Sequence, residues 1–283
     1  MLTNAKEMLN KAKKEKYAVA QFNINNLEWT KYILEECQLQ NSPVIIGASE
    51  GAIKYMGGYN VVYALVSSLV RDLKITIPVA LHLDHGSSYE SCKYAIEAGF
   101  TSVMIDASKY DLNINIEITT KVVNLANINN VTVEAEVGHI GGSEDGVADI
   151  LAYAKVSDAV QLASDTKIDF IAPALGSVHG MYKGEPKLDF SKMREISNLT
   201  NIPLVLHGGS GIPDDMISTA IASGICKINF NTELQTSWHQ SMLNFVINNQ
   251  NEYDPRKVIG SGQQALKAVV AEKINLLGSK DKA

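Results

Sequence analysis

Cysteine is scarce in this chain: Cys37, Cys92 and Cys226 are the only three, and none lies in a CxxC pair. That pattern excludes a disulfide framework and a cysteine-built zinc site, and it fits a reducing compartment. Long hydrophobic runs are missing too. No apolar stretch reaches the roughly 18 residues a membrane helix needs. The opening segment MLTNAKEMLNKAKKEKYAVAQF carries lysines but no apolar h-region, so no secretory signal is expected. Positive charge is also in short supply. Lys and Arg number 25 against 31 Asp and Glu, a formal charge of −6, which argues against an electrostatic footprint for nucleic acid. Neither nucleic acid nor membrane is an expected partner, and the expected location is cytoplasmic.

What is present is a repeating alternation of short apolar runs and amphipathic stretches. Eight strands are predicted, at 17–22, 43–48, 77–83, 101–106, 131–137, 168–173, 202–207 and 225–230. They are rich in Val and Ile and too continuously hydrophobic to be one-sided antiparallel strands. Helical stretches separate them, among them 27–40, 59–73, 88–98, 111–127, 189–200 and 213–222. The opening segment reads as an amphipathic helix with Ala5, Met8, Leu9 and Ala12 on one face. Right-handed βαβ units repeated eight times close into a barrel. Two long helices near 232–249 and 261–276 extend beyond it. An open doubly wound sheet is the other architecture to weigh. It would carry a Gly-rich phosphate turn after the first strand, where this chain has NINNLE. With no linker or composition break, residues 1–283 are expected to form a single α/β domain.

Metal-capable side chains fall where these strands end: His85 after VALHLDH, Glu136 in VTVEAEVG, His179 in APALGSVHG and His207 in PLVLHGGSG. The C-terminal ends of barrel strands meet at one mouth, so residues distant in sequence can converge there. Three imidazoles with open coordination space make a catalytic zinc site that polarises a carbonyl. Period-two alternation puts His82 and Asp84 inside the barrel, where Asp84 could orient an imidazole or move a proton. Glu134 and Glu136 share a strand face, and two such carboxylates repel unless a cation or proton lies between. Asp106 could join Glu136 around that cation, although a loop or N-cap aspartate is the commoner role. The turns GSVHG and LHGGSG, with KINFNTE at the last strand, suggest a phosphate site shared by the final two strand ends. His139 and His239 are expected in surface or packing roles. Residues 138–150 read as a mobile lid, and 174–188 as a second long loop over the mouth.

VALHLDHG and VEAEVGHIGGSE resemble the two signature segments of the class II, metal-dependent fructose-bisphosphate aldolases. The resemblance continues through APALGSVHGMYKGEPKLDF, IPLVLHGGSGIP, KINFNTE and EYDPRKVIG, essentially the whole chain. It implies a TIM (β/α)8 barrel with extra C-terminal helices that reversibly cleaves fructose 1,6-bisphosphate to glycerone phosphate and glyceraldehyde 3-phosphate. It places the zinc ligands on His85, His179 and His207, the proton donor to the C4 oxygen on Asp84, and a second, alternative metal position on Asp106 and Glu136. The glycerone-phosphate half maps onto Gly180, Gly208, Gly209, Ser210, Asn229, Phe230, Asn231 and Thr232. Ser49 matches a serine near the other half, Lys183 a phosphate-neutralising lysine, and Arg256 the arginine for the distal phosphate, which a neighbouring subunit could supply. Glu144 matches the acidic lid residue linked to proton transfer at C3, a role left open between it and His179. A monovalent cation is allowed as a further cofactor, and a homodimer or homotetramer is expected.

Cleaving the C3–C4 bond leaves negative charge beside a carbonyl, which a Lewis-acidic zinc ion can spread. A Schiff-base aldolase would need a buried lysine as electron sink instead; only Lys227 and Lys183 lie near strand ends. Tagatose-1,6-bisphosphate aldolases share the metal motifs and are the alternative within the family. More remote is a metal-dependent hydrolase on the same barrel, which would not need the phosphate-binding turns.

Overall fold

The computed structural model describes residues 2–144, 147–149, 151–180, 182 and 184–283, the side chains of 143–150 excepted. Its strands are β1 (Val19–Asn23), β2 (Val44–Ser49), β3 (Val79–Gly86), β4 (Ser102–Ile105), β5 (Thr132–Val137), β6 (Gly141–Glu144), β7 (Val147–Asp149), β8 (Phe170–Pro173), β9 (Val178–His179), β10 (Leu204–Leu206) and β11 (Ile225–Phe230). Eight of them close a barrel in the order β1-β11-β10-β8-β5-β4-β3-β2, every neighbouring pair parallel. These are the eight predicted strands. Parallel strands packed on both faces read as unbroken apolar runs, which is why each was visible.

Alternate residues of each strand serve different surroundings. Outward side chains such as Ala20, Phe22, Ile46, Leu81, Val103, Val133, Ile171 and Leu206 form the shell beneath the helices. Inward side chains change character along the barrel axis. At the lower end Val19, Ile45, Ala80, Phe170 and Val205 pack against Ala5, Met8, Leu9 and Ala12 at and within helix Lys6–Glu15. That is the predicted apolar face of the opening segment, and it stops the barrel from below. Truncating a wholly buried leucine such as Leu9 would cost about 2–5 kcal/mol. Two residues further along β1 and β3, and just past the end of β10, the inward positions become Gln21, His82 and His207, joined by Glu134 on β5, all buried. The barrel is therefore apolar below and polar above.

The surrounding helices are fixed by local signals. Asn26 caps helix Leu27–Leu39 by accepting from the Trp29 N–H at 2.9 Å, and Ser88 does the same for Tyr89–Ala98. Helices Thr232–Asn248 and Gln263–Leu276 form the predicted C-terminal extension; Trp238 meets Trp29 edge-on at 6.1 Å.

Three features differ from expectation. Helices Glu50–Met56 and Pro255–Gly260 were not predicted, whereas Val156–Thr166 fills the connection where a helix was expected without bounds. Within residues 138–150, expected as a lid, β6 pairs antiparallel with β7 and parallel with β9, building a small sheet beside the mouth.

Candidate metal centre and active site

The site begins with an irregularity in β3. Its register with β4 shifts after Leu83, and His85 adopts φ 48°, the left-handed region. For a non-glycine residue that costs on the order of 1–3 kcal/mol. Consecutive residues of a regular strand point to opposite faces; the kink lets both Asp84 and His85 serve the barrel mouth.

There the three predicted imidazoles converge. Ligand atoms of His85, His179 and His207 lie within 4.8 Å of one another, with ring centroids 4.6–5.7 Å apart. A second group joins His85 to Asp106 and Glu136 within the same limit. Hydrogen bonds show that the donors suit a cation. His207 Nε2 donates to Glu134 Oε1 at 2.7 Å, leaving its Nδ1 as a lone pair. His85 Nδ1 donates to Asp106 Oδ2 at 3.0 Å, leaving its Nε2 as a lone pair in the neutral ring. Those two nitrogens face each other at 2.9 Å, a contact that requires a proton or a metal ion between them.

Burial, together with neighbouring imidazoles, pushes His179 well below the usual histidine range. Burial likewise lowers His207, although the Glu134 hydrogen bond opposes it. Neutral imidazole is the ligating form. At the second position Glu136 Oε1 accepts from the Ile140 N–H at 2.9 Å, while Oε2 is buried without a hydrogen-bond partner among the described residues. Burial and the adjacent Asp106 raise the Glu136 carboxyl well above its ordinary value. Burial would raise Asp106 too, but the His85 and Ser108 contacts outweigh it and hold the carboxyl low. One carboxylate in need of positive charge is what a second cation position requires.

Asp84 is buried at the mouth, with Asn23 Nδ2 donating to Oδ2 at 2.9 Å and Asn229 Nδ2 to Oδ1 at 3.3 Å. Burial opposes its charge, but His85, His207 and Lys227 hold its carboxyl below the usual range. Asp84 thus lies between two amides beside the imidazoles.

Ser49 stands opposite Asp84 across the β2–β3 pairing, where its hydroxyl also caps helix Glu50–Met56. The turns after β10 and β11 are tied by the Gly209 N–H donating to the Asn229 carbonyl at 3.0 Å. Ser210 Oγ accepts from the Glu233 N–H at 3.4 Å, next to Thr232, the first residue of its helix. Gly208 has φ 64°, and a Cβ there would stand 2.1 Å from the Val178 carbonyl oxygen, so only glycine fits. Gly180 directly follows His179, and Asn231 Oδ1 is buried without a partner among the described residues. Phe230 turns its ring into the outer core against Phe22, leaving its backbone to the turn.

Arg256 is not gathered with these residues: it is exposed on helix Pro255–Gly260, with Asp254 accepting from its guanidinium at 2.7 Å. Lys183 and the Glu144 side chain lie outside the described residues. His239 is exposed, as expected. His139, expected in a surface or packing role, is half-buried, bonded through Nδ1 to Ser108 Oγ at 2.8 Å and 3.9 Å from Glu136. Tyr182, unforeseen, donates from its hydroxyl to the Gly208 carbonyl at 2.9 Å. Also unforeseen is the pairing of Glu134 with Lys227 at 2.8 Å, both side chains fully buried. The cation demanded by two carboxylates on one strand face is, for Glu134, the ammonium of Lys227. Burial would raise Glu134, yet Lys227 and His207 bring its carboxyl down to about 2.

Comparison with known proteins agrees with this geometry. A fructose-bisphosphate aldolase from Geobacillus stearothermophilus is 54% identical over 283 residues, covering 100% of this chain and 99% of its own. One from Staphylococcus epidermidis is 53% identical with the same coverage. The crystal structure of the YdjI aldolase from Escherichia coli K12 matches with a TM-score of 0.87 and 34% identity over 100% of both chains. The family model described as fructose-bisphosphate aldolase class-II matches residues 3–282, and this chain belongs to the class II fructose-bisphosphate aldolase family.

Proposed function

We propose that this protein reversibly cleaves fructose 1,6-bisphosphate to glycerone phosphate and glyceraldehyde 3-phosphate, with zinc held by His85, His179 and His207. The observation that carries the proposal is the pair of imidazole nitrogens, His85 Nε2 and His207 Nδ1, facing each other at 2.9 Å beside a buried, doubly hydrogen-bonded Asp84. Zinc, when bound, supplies a Lewis acid for the charge that develops next to the substrate carbonyl. The remaining steps belong to side chains. Asp84 gives a proton to the C4 oxygen in condensation and takes it back in cleavage, its carboxyl oriented by Asn23 and Asn229. Gly180, Gly208–Ser210 and Asn229–Thr232 bind the glycerone-phosphate half through backbone N–H groups and the start of helix Thr232–Asn248. Ser49 borders the other half, with Lys183 and Arg256 assigned to phosphate charge. The C3 proton is assigned to Glu144 or His179. Asp106 and Glu136 supply a second metal position.

Lys227 is ion-paired inside the barrel, which speaks against a Schiff-base route. Exposed Leu243, Val246, Ile247 and Tyr253 near the C-terminal helices favour self-association as a homodimer or homotetramer. No helix of the described residues is long and apolar enough to cross a membrane, and a cytoplasmic site of action is part of the proposal. A coupled cleavage assay tests the function: activity should vanish with a chelator and return with zinc. Undiminished turnover in metal-stripped protein would refute it. Running tagatose 1,6-bisphosphate in parallel decides the substrate, since stereochemical discrimination in a pocket is worth only about 1–3 kcal/mol.

A further inference from the structure

Lys227 is one of the largest fully buried side chains in the protein, and nothing in the proposed chemistry uses it. Its ammonium makes two contacts, donating to Glu134 Oε2 at 2.8 Å and to Asn229 Oδ1 at 2.9 Å. Each partner leads to a different part of the site. Glu134 accepts from His207 Nε2 at 2.7 Å. Asn229 turns its Nδ2 to Asp84 at 3.3 Å and to His207 Nδ1 at 3.2 Å.

We infer that Lys227 is a positioning residue that sets the hydrogen-bond direction of both chains, one ending on the metal imidazole and the other on the proton-transfer carboxyl. This rests on the aldolase reading of the site. An ammonium only donates. Glu134 must therefore accept on one oxygen, and as a carboxylate it accepts from His207 on the other. That fixes the His207 tautomer with Nδ1 as the lone pair directed at the cation position. Asn229 must likewise accept through Oδ1, so its amide presents the NH2 group to Asp84. A flipped amide would set its oxygen against the Asp84 carboxylate.

Stability alone does not account for the pair. A buried ion pair is often no more stabilising than apolar side chains of equal volume, and the register neighbours of the pair on adjacent strands, Val19 and Val205 for Lys227 and Phe170 for Glu134, are apolar. The charged pair touches His207 directly and Asp84 through Asn229.

The test uses the full-length enzyme with Lys227→Met, and with Lys227→Met combined with Glu134→Gln so that no uncompensated charge is buried. Zinc affinity is read by competition with a chromophoric chelator, independently of turnover, and kcat and KM are read at saturating zinc. Both variants should bind zinc about 10–100-fold more weakly. Their kcat should fall roughly 100-fold with KM changed less than about threefold, the sign of a misplaced reacting group. A folded variant with zinc affinity and kcat within about threefold of wild type would overturn the inference. So would failure of the charge-balanced double variant to fold, which would make the pair structural. Wild-type protein lacking zinc-dependent cleavage would instead sink the aldolase reading, while the zinc affinities would still report on the His207 arm.

Discussion

Gly142 lies opposite His179 across the β6–β9 pairing, so close that a Cβ on Gly142 would stand 2.2 Å from the His179 carbonyl oxygen. The hairpin of β6 and β7 is thereby clamped to the strand carrying His179, one of the three convergent imidazoles. Gly142→Ala meets both this clash and a φ of 112° that L-residues rarely adopt. The expected result is a fall in kcat/KM of about 100-fold, since a displacement of about 1 Å at a reacting centre suffices for that. Far-UV circular dichroism should stay native. Wild-type kinetics for the alanine variant would show that hairpin and imidazole are not coupled.

Asp84→Asn keeps the shape of the side chain but removes its ability to exchange a proton. Cleavage should slow by about 100- to 10,000-fold, with bound zinc unchanged by elemental analysis. Retention of more than a tenth of the activity would move the proton-transfer role elsewhere.

Glu136 makes the metal-free protein carry a strained carboxyl. Its folded pKa is raised, so its contribution is favourable below the ordinary carboxylate value and is lost as pH rises through the folded one. At neutral pH, Glu136→Gln should therefore stabilise chelator-treated protein by about 1 kcal/mol, or roughly 2–4 °C in Tm. The Ile140 N–H keeps an acceptor in this variant. Differential scanning fluorimetry with excess chelator measures the shift, and a lower Tm would contradict the reading.

Acid should destabilise the fold through His82, the inward neighbour of Asp84. Burial, then Lys227, lowers its pKa from 6.5 to about 3. Between those values the unfolded chain binds a proton that the folded chain refuses, so stability is full above pH 6.5 and falls as pH drops towards 3. One such group contributes at most about 1.4 kcal/mol per pH unit. Glu134, lowered to about 2 from 4.5, adds loss with the same sign below pH 4.5. Urea titrations of metal-free protein from about pH 7 to 5 should give a shallower decline for His82→Asn than for wild type. Equal slopes would remove His82 as a source.

The barrel was legible because each buried parallel strand announces itself as a Val/Ile run ending in chemistry. HLDH and VEAEVG showed even which side chains enter the interior. Helix Val156–Thr166 was legible only as a member of the βαβ pattern and not by its bounds, for its N-cap residue Lys155 supplies no capping side chain. The β6–β7 hairpin was missed because part of its pairing is with β9, which reaches it through distant sequence. Lys227 and Glu134 are 93 positions apart; the strand pattern showed that Glu134 needed a counter-charge, but only the closed barrel shows which residue provides it. His139 followed the same rule: its partner Ser108 lies on another barrel connection. Arg256, matched by motif alone, stands away from the gathered residues on an exposed helix.

Helix Lys6–Glu15 has one last consequence. With its apolar face stoppering the lower opening, the helix leaves Lys227 and Glu134 enclosed between an apolar floor and the residues of the mouth. Lys227 reaches that mouth only as a link in a relay of contacts among the described residues, through Glu134 to His207 and through Asn229 to Asp84. A guest seated at the mouth is thereby felt by charges it never touches.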